Sequence, residues 1–144
     1  MISRELIVAE ARSWIGTPYM HRQSVKGVGC DCLGLVRGIW RELYGGEPEP
    51  VPAYASTWRD GSGVETLLEA AERHLVKLPR PEDMEAGDVL VFRWRPNLPA
   101  RHCGIVAPGL RMVHAYEAAS SVVEGAIGSW TPRIVGAFSF PGAR

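Results

Sequence analysis

The chain has no excess of charge of either sign: among its 144 residues, 16 Lys and Arg balance 16 Asp and Glu. That excludes the broad basic surface of a nucleic-acid binder and the acidic tail of a solvating segment. It has no apolar run long enough to span a bilayer, so membrane insertion is not expected. Its opening residues, MISRELIVAEARSWIG, lack the cationic start, uninterrupted apolar stretch and small-residue cleavage site of a secretory leader. Synthesis in the cytoplasm is expected, with delivery by another component if the protein acts outside. Cysteine is scarce too: Cys30, Cys32 and Cys103 are the only three. An odd count in a chain of this length makes a poor disulfide framework. Two cysteines separated by a single residue in a regular element also rarely satisfy disulfide geometry. All three read as thiols. No internal repeat, low-complexity tract or second domain is visible, and the length suits one domain over residues 1–144 with a real core.

Helices come first. Ile7, Ala11, Trp14 and Ile15 form a helical stripe within residues 2–15, with Ser3 as N-cap and Ile2 and Ile7 placed as a hydrophobic staple. Gly16 and Pro18 end it. Residues 19–29 read as a loop. Cys32, Val36, Ile39 and Leu43, widened by Leu35 and Trp40, predict a second helix over 32–44 with a broad apolar face turned to a sheet. Gly45 and Gly46 stop it. Residues 47–52, EPEPVP, read as an extended connector. Ser62 and Glu65 make a capping-box pattern ahead of Val64, Leu67, Leu68, Ala71 and Leu75, a third helix.

From Gly87 the texture changes. DVLVFRW, HCGIVA, RMVHAYE, SVVEG and IVGAFSF follow at short intervals, separated by Pro, Gly and Ser. Helices followed by strands predict an α+β fold with a largely antiparallel sheet.

Cys32 sits at the first turn of the second helix, where unsatisfied N–H groups and the helix dipole favour thiolate over thiol. Cys30 lies outside the helix and lacks that placement. Gly29 and Gly34 flank the site and would let a substrate backbone come close. His102 and His114 are twelve residues apart on two predicted strands. A three-residue loop of Ala107, Pro108 and Gly109 puts them opposite each other on one face, with Cys103 facing away. A two-residue Pro108–Gly109 turn would put them on opposite faces. Under the odd register a nucleophilic unit is complete, with Cys32 as nucleophile, His102 as base and His114 orienting the base by accepting its N–H. Such a unit performs acyl transfer on an amide or ester.

These residues resemble a known family. GCDCLGLVRGIW, then AGDVLVFR, then HCGIVAPGLRMVHA, is similar to the NlpC family of cell-wall cysteine peptidases over most of the chain. The resemblance implies a papain-like fold, with the catalytic Cys at the N-terminus of a helix packed on a small antiparallel sheet. It implies Cys32, His102 and His114 as catalytic residues, Tyr19 and Asp31 near the substrate, and no metal or cofactor. The substrate it implies is a peptidoglycan stem peptide, cut typically between D-γ-glutamate and a diamino acid. The wording YMHRQSVKGVGCDCLGLVRGIWRELYG is most similar to the branch found in phage tails and gene transfer agents. That branch implies a virion component acting on the periplasmic cell wall, with tail or baseplate hub proteins as partners. Many family members carry Ser directly after the catalytic Cys, where this chain has Leu33. With Asp31 kept and that Ser absent, an endopeptidase acting on intact wall is expected.

Two other function classes remain open from the residues alone. One is a catalytically silent plug or adaptor of a tail with the same fold. The other is a zinc-binding interaction module using Cys30, Cys32, His102 and His114, which are zinc-type ligands. Asp88 reads as a turn-fixing residue, Asp31 equally as a helix cap, and His21 and His74 as surface residues. The stretch 94–100, WRPNLPA, reads as a docking loop or a wall of the substrate groove.

Overall fold

In a computed structural model, which describes residues 1–48 and 65–144, the Ser3 hydroxyl accepts from the Leu6 N–H and starts helix α1, Arg4–Arg12. A two-residue hairpin follows, β1 (Ser24–Val25) with β2 (Gly29–Cys30), inside what the sequence reads as plain loop. Helix α2 covers Cys32–Tyr44, as its stripe predicts, and ends on Gly45 in the left-handed conformation. Helix α3 covers Thr66–His74. Then come β3 (Val76–Lys77), β4 (Val89–Phe92), β5 (His102–Ala107), β6 (Arg111–Tyr116), β7 (Ser121–Ala126) and β8 (Ile134–Ser139). Six of the strands form one sheet in the order β3-β8-β4-β5-β6-β7, and every pairing is antiparallel. The α+β reading holds.

The sheet is covered on both faces. On one, Ile7 and Ala11 of α1, Leu35 and Ile39 of α2 and Leu67 of α3 pack on Val89, Val91, Cys103, Ile105 and Val113. Each large apolar side chain buried there contributes about 1.5–3 kcal/mol. On the other, Leu90, Phe92, Val106, Met112 and Ala137 pack under Ile127 and Trp130, the latter carried by the short 3-10 turn Gly128–Arg133. Alternate residues of β5 and β6 therefore face different layers: His102 and His114 share the second face, and Cys103 lies on the first.

Asp88 fixes the entry to β4. Its fully buried carboxylate accepts from the Glu85 N–H at 2.8 Å and the Ser139 hydroxyl at 2.7 Å, and meets the Arg4 guanidinium at 2.6 Å. The start of α1 is thereby tied to the middle of the sheet.

Three expectations shift. The β5–β6 hairpin pairs Ala107 with Arg111 and Ile105 with Val113, so its three-residue loop is Pro108–Gly109–Leu110 and not Ala107–Pro108–Gly109. Gly109 and Leu110 both take left-handed backbone there, which leaves Pro108 at the loop entry, where its fixed φ fits. The loop is still odd, so the two histidines share a face, but they are diagonal neighbours and His114 sits over Gly104. The third helix begins at Thr66 with Glu65 just outside it and no side-chain cap. Glu65 instead accepts from the Ala100 N–H at 2.9 Å and from Arg93 at 2.8 Å. Its expected capping partner Ser62, Val64 and most of the 47–52 connector lie outside the described residues. Finally, Gly29 and Gly34 accommodate the protein's own loop and not a ligand: a Cβ on Gly34 would fall 1.9 Å from the Gln23 carbonyl oxygen, and one on Gly29 would meet Met20.

Candidate active site

The site is built where the 17–31 segment, the start of α2 and the start of β5 meet. Asp31 is the N-cap of α2. One of its carboxylate oxygens accepts from the Gly34 N–H at 2.7 Å; the other accepts from the Arg22 N–H at 2.8 Å and lies 3.9 Å from His21 Nδ1. The residue is 1 % exposed. It caps the helix and clamps the preceding loop to it. The same loop is stitched down by Cys30 N–H to the Pro18 carbonyl, Met20 N–H to the Cys30 carbonyl and Tyr19 N–H to the Ser120 carbonyl. His21 is therefore part of the clamp rather than a bare surface group, and His74 packs edge-on against Trp40.

Cys32 is the first residue of α2. Its sulfur lies 3.7 Å from the carbonyl oxygen of Arg101, the residue before His102. A cleft of about 290 Å³ is lined by Tyr19, Cys32, Trp94, His102, Tyr116 and Glu117, among others. The structure thus brings Tyr19, Cys32 and His102 to one cavity, with Trp94 of the WRPNLPA stretch as part of its wall. Asp31 does not line it. Leu33 turns away, into a separate apolar cavity between α2, α3 and the sheet.

His102 Nε2 is 2.8 Å from His114 Nδ1. His114 is 4 % exposed, and burial pulls its imidazolium down to a pKa of about 4. At neutral pH it is uncharged and able to accept. Whenever His102 is protonated both its nitrogens are donors, so His114 Nδ1 must be the acceptor.

The other two thiols are held differently. Cys30 is fully buried, and burial, helped by the charge of Asp31, pushes its pKa up to about 12. Cys103 reaches across from the sheet to the Cys32 carbonyl at 3.3 Å, and its bond with Cys32, then its burial, raise its pKa. The zinc set of Cys30, Cys32, His102 and His114 is not assembled. Among the described residues no three His, Cys, Asp or Glu side chains converge as ligands, and the facing nitrogens of the two histidines bond each other.

Sequence reasoning missed three participants. Gly104 is one: a Cβ there would come within 3.1 Å of the His114 Cβ. The twelve-residue histidine spacing carries that signal once the loop is centred correctly. Arg101, buried beside Cys32, and Trp130, stacked on His102, had no periodic signal to find them.

The fold that carries this site has counterparts among solved structures. The NlpC/p60 domain of the peptidoglycan hydrolase SagA matches 95 % of this chain and 98 % of its own length, with 26 % identity and a TM-score of 0.67. The chain has the NlpC/p60 fold. NlpC2 from Trichomonas vaginalis matches 95 % of the chain at 16 % identity and a TM-score of 0.68. The peptidoglycan hydrolase RipB from Mycobacterium tuberculosis matches 94 % at 17 % identity and a TM-score of 0.60. The matched region is 46 % of NlpC2 and 63 % of RipB, so this chain corresponds to only part of those proteins. No family model matches the sequence, and no curated protein sequence does.

Proposed function

We propose that the protein is a cysteine endopeptidase of peptidoglycan stem peptides. The observation that carries this reading is the shared cleft: Cys32, at a helix N-terminus, lines it together with a histidine whose Nε2 is bonded to a second, neutral histidine. Two of the structural neighbours are peptidoglycan hydrolases, which supports the substrate class.

In the reaction, Cys32 gives its thiol proton to His102 Nδ1 and its sulfur attacks the scissile carbonyl carbon. The oxyanion meets N–H groups of the first turn of α2. The Asp31 cap takes up that of Gly34, so those of Cys32 and Leu33 are the donors at hand. His102, held through Nε2, uses Nδ1 to protonate the leaving amine as the C–N bond breaks. It then takes a proton from the water that hydrolyses the thioester and frees Cys32. Asp31, with both oxygens on backbone N–H groups, is not presented to the cleft, which favours an endopeptidase that does not require a free stem N-terminus. Tyr19 stands on the cleft wall, in reach of a substrate backbone. The bond expected to break is D-γ-glutamyl–diamino acid. The setting expected is a phage-type tail or gene transfer agent opening the periplasmic wall, with hub proteins of the tail as partners.

Incubation with purified sacculi, followed by mass spectrometry of the muropeptides, tests both reaction and bond. Wild type should release stem fragments with a bell-shaped pH dependence. Cys32→Ala should fold normally and release none. Equal hydrolysis by that variant overturns the reading. A wild type that cleaves nothing yet assembles into particles would make the protein a structural plug.

A further inference from the structure

One hydrogen bond does not by itself set the plane of an imidazole ring. Its outer torsion is broad and roughly two-fold, so the ring can swing or flip about that bond. The bond from His102 Nε2 to His114 therefore does not by itself explain how the other nitrogen is kept toward the cleft. A flat partner against the ring face would do so.

Trp130 supplies one. Its indole stacks on the His102 ring, with centroids 5.2 Å apart and planes 25° from parallel. The same indole stands edge-on to His114 at 5.4 Å and 87°, and to Tyr116 at 5.3 Å and 77°. It also packs on Phe92 at 5.4 Å and Trp94 at 5.4 Å. One side chain thus touches both histidines and residues from β4, β5 and β6. Its own backbone is anchored: the Trp130 N–H donates to the Ile127 carbonyl at 2.7 Å, and Ile127 is buried in the second core layer. Trp130 is not among the residues that line the cleft, so it acts through the histidines and not on substrate.

We propose that Trp130 is the positioning residue of the His102–His114 pair, its indole face locking the His102 ring so that Nε2 stays on His114 and Nδ1 serves Cys32. This inference rests on the peptidase reading for its kinetic consequence, but its structural content stands apart from it.

The test compares Trp130→Phe and Trp130→Leu with wild type and Cys32→Ala, all in the full chain. Two quantities are measured: kcat and KM on muropeptides, and histidine ring 15N–1H spectra at neutral pH. Trp130→Leu should lower kcat on the order of tenfold or more with KM little changed, because misorientation costs the chemical step and not binding. Trp130→Phe, which keeps a flat face, should recover most of the loss. The spectra of wild type should show one tautomer for each of the paired rings, and those of Trp130→Leu a mixture. A folded Trp130→Leu protein with kcat within about twofold of wild type, or with unchanged tautomers, overturns the proposal. If Trp130→Leu does not fold, Trp130→Phe decides it. Wild-type tautomers with kcat partly reduced support the clamp, and scrambled tautomers despite the aromatic face refute it. If wild type itself cleaves no muropeptide, the peptidase reading fails while the spectra still decide the clamp.

Discussion

Acid should destabilise this fold through His114. In the folded protein its pKa is about 4, against an ordinary value of 6.5, because burial penalises its charged form. Between those values the unfolded chain binds a proton at this position and the native chain does not. Stability therefore falls as pH drops below 6.5 and, for this residue, levels off below 4. The loss works out at about 2 kcal/mol by pH 5 and about 3 kcal/mol by pH 4. The assay is urea denaturation at pH 7, 6, 5 and 4 on wild type and on His114→Gln, whose side-chain carbonyl still accepts from His102 but does not titrate. Carboxylates and the other histidines contribute alike to both proteins, so the difference between the two pH curves isolates His114. Wild type should lose about 3 kcal/mol more than the variant across the series. Parallel curves would refute the claim that His114 is held neutral, and with it the reason it acts only as an acceptor.

Replacing Asp31 by Ala strips two backbone N–H groups of a buried acceptor; stability should fall by about 2–4 kcal/mol in denaturant melts, and hydrolysis should fall with it as the 17–31 loop loosens. Gly34→Ala should be worse folded than Gly104→Ala by thermal melting, since its Cβ meets backbone at 1.9 Å while that on Gly104 meets the His114 Cβ at 3.1 Å. Asp88→Ala should cost about 3–5 kcal/mol by leaving Arg4 beside an empty buried site, and adding Arg4→Ala should return part of it. Cys30, with a pKa of about 12, has about one thiol in ten thousand ionised at pH 8; mass mapping after iodoacetamide treatment should find it unmodified until the protein is unfolded.

What was legible in the sequence had a period or a cap behind it. The span of α2 follows from an apolar stripe bounded by Asp31 and the Gly45 stop, and both were found where the residue types require them. The five principal strands stand out because each is a short apolar run between turn formers. The two-residue strands β1, β2 and β3 are too short to carry any period. The hairpin register was legible only in part. An odd loop sets the two histidines on one face, but Pro108–Gly109 also suits a two-residue turn, and whether a three-residue loop begins at Ala107 or Pro108 depends on which residues accept left-handed backbone, which Leu110 does against its type. Trp130 is a different kind of gap: it reaches both histidines from a turn between β7 and β8, and no local pattern encodes a contact made only after the sheet has closed.

The three thiols show how far position, and not residue type, decides the chemistry. Cys30 and Cys32 are two residues apart and both nearly fully buried, at 0 % and 3 % exposure, so burial alone does not separate them. Cys30 is enclosed in a two-residue strand whose N–H and carbonyl are both used to pin the tyrosine loop, and it lies beside the Asp31 carboxylate. Negative charge next to a thiol opposes ionisation, as burial does. Cys32 stands one residue past that carboxylate, on the helix side, where the axis presents N–H groups and the sulfur opens on the cleft that His102 lines. Cys103 approaches from beneath, and its contact is with the Cys32 carbonyl, on the far side of the sheet from the histidines. Cys32 alone of the three stands at a helix start on the cleft, whereas a thiolate at either neighbour would sit in a closed core with negative charge nearby. The close spacing of the cysteines therefore carries little oxidative risk from Cys30, whose thiolate is almost absent at neutral pH. It is the second thiol's inertness, imposed by burial and by Asp31, that makes its proximity to the proposed nucleophile tolerable.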